Sequence, residues 1–307
     1  MAGESRDYDI IIIGGGPAGL AAGIYAGRDR HRTLLMERWL VGGQIINAEW
    51  LENFPGFPEG IGGAKLGELM HVQATNFGLA TIMTEVTALR PKENQNIIET
   101  SNGNYRARAV IIAGGCHRQK LDVPGEVKFA GKGVSYCATC DGAFFRDKPV
   151  TVVGGGNSAL VEAHHLTKFA SRVTVIHRRD QLRATPVVQE KARSDPKIDF
   201  LLSTVVDEIL GNGVVSRLRL RDVKTGEASE LKISGVFISV GLVPNTDYLK
   251  GVVALDENGA IITDIRMETN LPGVFAAGDI RNNSPRQVIA AAGDGAIAAM
   301  QASRFLG

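Results

Sequence analysis

The feature that most constrains the fold is a local pattern that the sequence contains twice. An apolar run at residues 8–14 leads into a glycine-rich turn and an alanine-rich stretch, and a second apolar run follows at 33–37. The pattern returns at 150–153, with a second glycine turn, a helical stretch over 160–169 and an apolar run at 173–176. Continuous apolar runs are typical of strands buried on both faces of a parallel sheet. The sequence therefore predicts an α/β fold with two Rossmann-like nucleotide-binding units.

The composition excludes several functional classes. The 307 residues carry 34 Lys+Arg and 33 Asp+Glu, so the net charge of +1 provides no general basic field for nucleic acid. The apolar run near the start is far shorter than the ~20 residues that a membrane span needs. It also lacks the basic flank of a signal peptide. We therefore expect no nucleic-acid partner and no membrane segment.

The first glycine turn has the spacing of a dinucleotide fingerprint. Gly14 allows a tight bend, Gly16 lets the backbone approach a pyrophosphate, and Gly19 lets the next helix pack closely. The N-terminus of that helix favours an anion. Glu37 ends the following strand, where a carboxylate accepts hydrogen bonds from ribose hydroxyls. This unit is predicted to bind a dinucleotide with free ribose hydroxyls.

The second turn precedes a strand that ends in basic rather than acidic residues. The turn itself carries Gly154, Gly156 and Ala159, and alanine is tolerated at the third position. Guanidinium groups make the bidentate, charge-assisted hydrogen bonds that a 2′-phosphate requires, so this unit is predicted to bind NADPH. A solvated basic turn is the alternative interpretation. The basic residues are His177, Arg178, Arg179 and Arg183.

A pair of thiols, Cys137 and Cys140, lies shortly before the second turn. Cysteines at this spacing close a small disulfide ring and exchange electrons as a dithiol couple. A zinc site needs four ligands and the chain has no second Cys-x-x-Cys, so no metal is predicted, and a structural disulfide remains the alternative. Asp141 is a candidate proton donor to a leaving thiolate, or else a turn residue. The third cysteine, Cys116, is interpreted as a small buried residue.

A further carboxylate comes after an apolar run near the end of the chain. Gly278 and Asp279 come directly after residues 274–277, and a strand's carboxyl end points into the crevice where α/β sheets bind ligands. A helix is predicted from about 285 to 305, and its N-terminus favours negative charge on a reduced flavin. An aspartate that only caps a helix or a turn is the alternative.

Together these motifs resemble the low-molecular-weight, bacterial-type thioredoxin reductases over nearly the whole chain. The most specific segment is Cys-Ala-Thr-Cys-Asp-Gly at 137–142, just before the second fingerprint. The chain departs from the family at 113–115, where Ala-Gly-Gly replaces the frequent Ala-Thr-Gly, at the atypical Cys-His-Arg of 116–118, and at the unusual His164-His165. The other segments that carry the resemblance are 14–19, 42–44, 52–56, 154–159, 177–180, 183–184, 278–279 and 286–287.

The resemblance implies an FAD domain built from both chain ends, at 1–118 and 245–307, with an inserted NADPH domain at 119–244 that carries the thiol pair. It implies electron transfer from NADPH through FAD and the thiol pair to thioredoxin. Cys140 would face the flavin and Cys137 would attack thioredoxin. Members are usually cytoplasmic homodimers, in which a domain rotation alternates the flavin's partner.

The resemblance also assigns the cofactor contacts. For FAD they are Gly14, Gly16, Pro17, Ala18, Gly19, Glu37, Gly43, Gln44, Asn53, the backbone at Val86, Ala113, Gly114, Gly278, Asp279, Arg286, Gln287 and Val288. For NADPH they are Gly154, Gly156, Asn157, Ser158, Ala159, His177, Arg178, Arg179 and Arg183.

Three other functions are compatible with parts of the sequence. A ferredoxin- or flavodoxin-NADP reductase has the same plan but lacks the thiol pair. A reductase of another small redox protein or dithiol would use the same residues. A flavin- and NADP-binding regulator that senses redox state needs no turnover, and the intact Cys137 and Cys140 pair argues against it.

Overall fold

The computed structural model describes residues 6–48, 50–93 and 95–307. The alternation of helices with parallel strands in these residues confirms the predicted α/β class. The strands are β1 (Asp7–Ile13), β2 (Thr33–Glu37), β3 (Ala80–Met83), β4 (Val86–Lys92), β5 (Gln95–Thr100), β6 (Gly103–Ile112), β7 (Cys116–Arg118), β8 (Val134–Ser135), β9 (Pro149–Val153), β10 (Arg172–Ile176), β11 (Ile198–Leu201), β12 (Thr204–Asn212), β13 (Val214–Asp222), β14 (Ala228–Lys232), β15 (Gly235–Ile238), β16 (Leu242–Pro244) and β17 (Val274–Ala276). The helices are α1 (Pro17–Arg28), α2 (Gly63–Asn76), α3 (Ala138–Asp141), α4 (Asn157–Leu166), α5 (Pro186–Arg193) and α6 (Val288–Leu306).

The chain divides into two compact units. Unit 1 contains the chain up to His117 together with Val243–Gly307, and unit 2 contains Arg118–Leu242. Unit 2 is therefore an insertion in the sequence of unit 1.

Unit 1 is built on a sheet with the strand order β3-β2-β1-β6-β5-β4, in which β17 also pairs with β6. Side chains of β1 alternate between two clusters, because Ile10 and Ile12 pack in one and Ile11 and Ile13 in the other. This burial on both faces explains the continuous apolar run, and each fully buried isoleucine contributes roughly 1.5–3 kcal/mol to stability.

The register of unit 1 brings the predicted residues to one edge of the sheet. Ile13 at the end of β1 pairs with Met36 of β2 and Ile112 of β6, and Ala276 of β17 also pairs with Ile112. All these pairings are parallel, so the turns after these strands lie at the same carboxyl edge.

Unit 2 contains a parallel sheet with the order β11-β10-β9-β15-β8 and an antiparallel sheet of β12, β13 and β14. Val153 at the end of β9 pairs with Ile176 of β10 on one side and with Ile238 of β15 on the other. The helix α4 leads from β9 to β10, so the strand order reverses between β9 and β15. In sheets of this kind that reversal is where a nucleotide binds.

Two helix boundaries differ from the sequence-based predictions. The helix predicted over 160–169 runs from Asn157 to Leu166, because the backbone N–H groups of residues 167–169 bond to carbonyl oxygens three residues back, as in a tight turn. The helix predicted from about 285 begins at Val288, since Arg286 has φ of +55° and interrupts a helical backbone. Within the described part of the chain, no helix combines the length and the apolar character that crossing a membrane requires.

Candidate active site

The first glycine turn is closed tightly by backbone contacts in unit 1. Gly14 has φ of +109°, and a Cβ there would lie 2.3 Å from the carbonyl oxygen of Ala113. A Cβ at Gly19 would lie 1.9 Å from the carbonyl oxygen of Gly14. No L side chain fits at either position, so α1 packs directly on the turn. The start of α1 thus presents its backbone N–H groups at the carboxyl edge of the sheet, where an anion is stabilised.

The Glu37 carboxylate is held by backbone groups on both of its oxygens. Its Oε2 accepts the Gly15 N–H at 2.7 Å and its Oε1 accepts the Trp39 N–H at 2.9 Å. Each carboxylate oxygen retains a second lone pair for a ribose hydroxyl. The Glu37 carbonyl oxygen accepts the Thr84 N–H at 2.8 Å, and this contact brings the start of β4, with Val86, to the same region.

Two amide side chains connect further predicted residues of unit 1. The Asn53 amide donates to Oε1 of Gln287 at 2.9 Å, and Gln287 is the residue that precedes α6. The Gln44 amide donates to the Cys116 carbonyl oxygen at 3.4 Å. Gly43 lies against the first turn, since a Cβ there would lie 2.9 Å from Cα of Gly16. These contacts gather five chain segments around one crevice of unit 1.

Asp279 lies in this crevice in a partly desolvated setting. Burial raises the pKa of its carboxyl above the usual range. The Ser284 hydroxyl, which donates to Oδ1 at 3.1 Å, and the positive charge of Arg286 lower this pKa but do not outweigh burial. A buried ion pair fixes the same turn. The Asp294 carboxylate accepts two hydrogen bonds from the Arg281 guanidinium, at 2.6 and 2.9 Å, and one from the Gly278 N–H, at 3.1 Å. Nothing in the sequence pattern singles out Arg281 or Asp294, so sequence reasoning missed both positioning residues.

An asparagine forms hydrogen bonds with the Gly114-Gly115-Cys116 segment, where the sequence departs from the family pattern. The Asn245 amide donates to the Gly114 carbonyl oxygen at 2.7 Å, and its backbone N–H donates to the Gly115 carbonyl oxygen at 3.0 Å. The Cys116 thiol is buried and donates to the Asp279 carbonyl oxygen at 3.0 Å. Burial raises the pKa of this thiol to about 12, so it stays protonated and is a poor nucleophile.

The second glycine turn is anchored to the basic loop of unit 2. Gly154 has φ of +152°, and a Cβ there would lie 2.2 Å from the Ser239 carbonyl oxygen. The Gly155 carbonyl oxygen accepts the Arg183 N–H at 2.7 Å, and Oδ1 of Asn157 accepts the Thr185 N–H at 2.7 Å. The residues at the start of α4, including Ser158 and Ala159, are therefore held in a fixed relation to the arginine loop.

A strongly cationic cavity of about 420 Å³ opens beside this turn. Three exposed arginines line it, and among the described residues none of their guanidinium groups has a carboxylate partner. Lys224 also lines it, with its charge compensated by Asp180 at 3.1 Å. Unpaired guanidinium groups next to a nucleotide turn are suited to a phosphate. The arginines are Arg178, Arg179 and Arg183.

His177 occupies a different place from the arginines. Its ring is buried beneath the turn, and a Cβ on Gly155 would lie 2.5 Å from it. Burial, followed by the positive charges of Arg183, Arg179 and Arg178, lowers the pKa of His177. The ring is therefore neutral near pH 7, and it packs against the glycine turn at Gly155.

The thiol pair forms a disulfide at the carboxyl edge of the same sheet. Cys137 and Cys140 are bonded, with their Cα atoms 5.3 Å apart, and Cys137 follows β8, the neighbour of β15. The Ser135 hydroxyl donates to Oδ2 of Asp141 at 2.6 Å and accepts the Cys137 N–H at 3.0 Å. Asp141 is thus held beside the disulfide by a buried serine that sequence reasoning did not single out.

No cluster of three or more His, Cys, Asp or Glu side chains with metal-binding geometry occurs in residues 6–48, 50–93 and 95–307. The geometry therefore consists of two nucleotide turns and a disulfide. One turn combines with carboxylates in unit 1, and the other combines with arginines and the disulfide in unit 2.

This combination of turns and disulfide defines a class. The chain belongs to the pyridine nucleotide-disulphide oxidoreductase family, whose model matches residues 8–295.

Within that family, the chain resembles thioredoxin reductases. It is 45% identical to the thioredoxin reductase of Bacillus subtilis, over 99% of this chain and 96% of that protein. It is also 45% identical to the thioredoxin reductase of Mycolicibacterium smegmatis, over 100% of this chain and 99% of that protein. The crystal structure of Lactococcus lactis thioredoxin reductase superposes with a TM-score of 0.96 at 42% identity, covering 97% of this chain and 99% of that one. These matches confirm the resemblance that the motifs indicated.

Proposed function

We propose that the chain is a flavoprotein thioredoxin-disulfide reductase that takes electrons from NADPH through FAD and the Cys137–Cys140 pair. The observation that carries the proposal is the placement of this disulfide. It follows β8 at the carboxyl edge of the sheet whose next strands carry the second nucleotide turn. The full-length similarity to thioredoxin reductases supports thioredoxin as the substrate.

The two nucleotide sites are assigned by their charges. FAD fits the crevice of unit 1, because Glu37 offers lone pairs to a ribose and the start of α1 offers N–H groups to a pyrophosphate. NADPH fits the turn of unit 2, because unpaired arginines lie where a 2′-phosphate would be bound. Unit 1 is then the FAD domain and unit 2 the NADPH domain, and the predicted domain boundaries, after residues 118 and 244, lie within two residues of the boundaries between the units.

When bound, FAD supplies the chemistry that converts a hydride from NADPH into electrons for a disulfide. The chain's own contribution is positioning and proton transfer. Asp279, held by the Gly278 turn and the Arg281–Asp294 pair, lines the flavin crevice. Arg286, Gln287 and Val288 place the N-terminus of α6 there, which favours negative charge.

The Cys137–Cys140 pair carries out the exchange with the protein substrate. A reduced pair reduces a disulfide when one thiolate attacks it, forming a mixed disulfide, and the other thiolate then releases the product. Asp141 is held next to the pair by Ser135 and serves as the proton donor and acceptor for the thiols.

The decisive experiment follows NADPH absorbance with the FAD-loaded protein and an oxidised thioredoxin. We expect NADPH oxidation that depends on thioredoxin and forms two thiols per NADPH. Ferredoxin and flavodoxin serve as alternative acceptors in parallel. Faster NADPH oxidation with either of these carriers than with any thioredoxin would replace the proposal with an electron-carrier reductase.

We further propose that the protein is a cytoplasmic homodimer. An apolar cavity of about 360 Å³ opens on unit 1 between α1, α2 and α6, and the partly exposed Tyr25 and Leu69 line it. Such a patch is typical of a subunit interface. Sedimentation at micromolar concentration should give twice the mass of one chain, and Leu69→Glu should shift the protein towards the monomer. A single-chain mass for the unmodified protein would refute this assembly.

A further inference from the structure

One partly buried ion pair in unit 2 has no part in the proposed electron transfer. Arg118 contacts Oε1 of Glu162 at 2.5 Å and donates to the Ser239 hydroxyl at 3.3 Å. The side chains of Arg118 and Glu162 retain 25% and 12% exposure, respectively. The other oxygen of Glu162, Oε2, is buried and has no hydrogen-bond partner among the described residues.

The Arg118–Glu162 pair is expected to contribute little to the stability of the fold. Burial raises the pKa of Glu162, and Arg118 only partly opposes that effect. Replacing a buried ion pair with well-packed neutral residues is often neutral or stabilising, and an unsatisfied buried oxygen adds a further cost. The pair therefore calls for a functional explanation.

The position of the pair follows from the sheet. Ser239 comes directly after β15, and its carbonyl oxygen lies against Gly154 of the nucleotide turn. Glu162 is on α4, and side chains of a helix tilt towards its N-terminus, so its carboxylate faces the first turn of α4. Arg118 thus lies beside the nucleotide turn on the β15 side.

The arginines that suit the 2′-phosphate lie on the opposite side of the turn. They follow β10, and the strand order reverses between β9 and β15. A dinucleotide spans such a reversal with its pyrophosphate at the helix N-terminus. With the adenosine half at β10, the nicotinamide half lies at β15, next to Arg118.

We propose that Arg118 binds the nicotinamide half of NADPH, and that Glu162 and Ser239 act as positioning residues that hold its guanidinium. A guanidinium has five N–H donors, and these two partners leave donors for the phosphate and ribose or for the carboxamide oxygen of that half. Arg118 is also part of the segment in which this chain departs from the family pattern. The inference rests on the proposed NADPH site.

The test measures binding by calorimetry on the FAD-loaded protein with three ligands. NADP⁺ contains both halves, 2′-phospho-ADP-ribose lacks only the nicotinamide ring, and 2′,5′-ADP lacks the whole nicotinamide half. The double variant R118Q/E162Q removes both charges at similar volume, so no buried carboxylate is left unpaired. S239A removes only the hydroxyl that holds Arg118.

We expect R118Q/E162Q to weaken NADP⁺ binding roughly 10-fold, the effect of losing a hydrogen bond to a charged group, and to change the Kd for 2′,5′-ADP less than about 2-fold. S239A should show the same pattern with a smaller loss. If R118Q/E162Q also binds 2′-phospho-ADP-ribose more weakly, Arg118 contacts the phosphate and ribose. If it binds that ligand with unchanged affinity, Arg118 contacts the carboxamide. The control is E208Q, which breaks the exposed Glu208–Arg219 pair on the antiparallel sheet and should change none of the three affinities.

Equal losses for NADP⁺ and 2′,5′-ADP, or no loss for either, would overturn the inference and leave a purely structural ion pair. If the double variant does not fold, S239A decides: unchanged NADP⁺ binding by S239A would also overturn the inference. If the unmodified protein binds none of the three ligands, the NADPH site itself is refuted, which is a distinct result.

Discussion

Replacing either cysteine of the disulfide by serine should abolish the reduction of thioredoxin and leave the reduction of flavin by NADPH intact. Dithiol exchange needs one thiol to attack and a second to release the product, so Cys137→Ser and Cys140→Ser should each lower turnover by at least ~10³-fold. Hydride transfer to the flavin needs no thiol. Stopped-flow flavin reduction and steady-state thioredoxin reduction, measured for the same variants, separate these two steps.

The two cysteine variants should also differ from each other. With Cys140 retained, we expect a thiolate that perturbs the flavin absorbance, and with Cys137 retained, a mixed disulfide trapped with thioredoxin. Cys116→Ala is the matched control, because that thiol is buried and protonated and should be dispensable for turnover. Near-normal thioredoxin reduction by either serine variant would show that the disulfide is only structural.

The sequence predicts the architecture well, because the residues that define it act locally. The apolar runs that become β1 and β9 are buried on both faces, as their lack of alternation indicates. Gly14 and Gly154 have positive φ values, as tight turns between a strand and a helix require. Strand, turn and helix therefore follow from composition and spacing within about 30 residues.

The supporting contacts of the site were beyond sequence reasoning, because they depend on how the chain folds back on itself, over 13 positions in one case and 131 in another. Arg281 pairs with Asp294 through the fold of a turn against α6, and the Asn245 amide reaches Gly114 across 131 positions. No periodicity or motif connects such residues. Ser135 was within reach, since a hydroxyl two residues before Cys137 can bond to the backbone locally.

The start of α6 shows how local geometry overrides a helical pattern. The alanine-rich stretch predicts a helix from about 285, but Arg286 adopts φ of +55° and Gln287 is extended. An arginine in the left-handed region is strained, and strain of this kind concentrates at ligand sites. The interruption places Gln287 where its side chain accepts the Asn53 amide, a contact that a continuous helix would alter.

Removing the arginines of the second site should change the choice of nucleotide. Arg178 and Arg179 line the cavity without carboxylate partners in the described part of the chain, so they are available for a 2′-phosphate. Charge-assisted hydrogen bonds contribute about 1.5–3 kcal/mol each, and solvent exposure reduces that contribution. We expect R178Q/R179Q to raise KM for NADPH by roughly 10- to 100-fold and KM for NADH by less than about 3-fold.

The measurement is steady-state kinetics with both nucleotides on the same preparation. Its control is Arg217→Gln, which removes another exposed arginine, one that pairs with Glu230 on the antiparallel sheet. The control should leave both KM values unchanged, so that loss of positive charge alone is excluded as the cause. High salt should reproduce part of the effect in the unmodified protein, because ions screen exposed guanidinium groups. Equal losses with NADPH and NADH would mean that these arginines do not recognise the 2′-phosphate, and Arg183 and Lys224 would then be the residues to test.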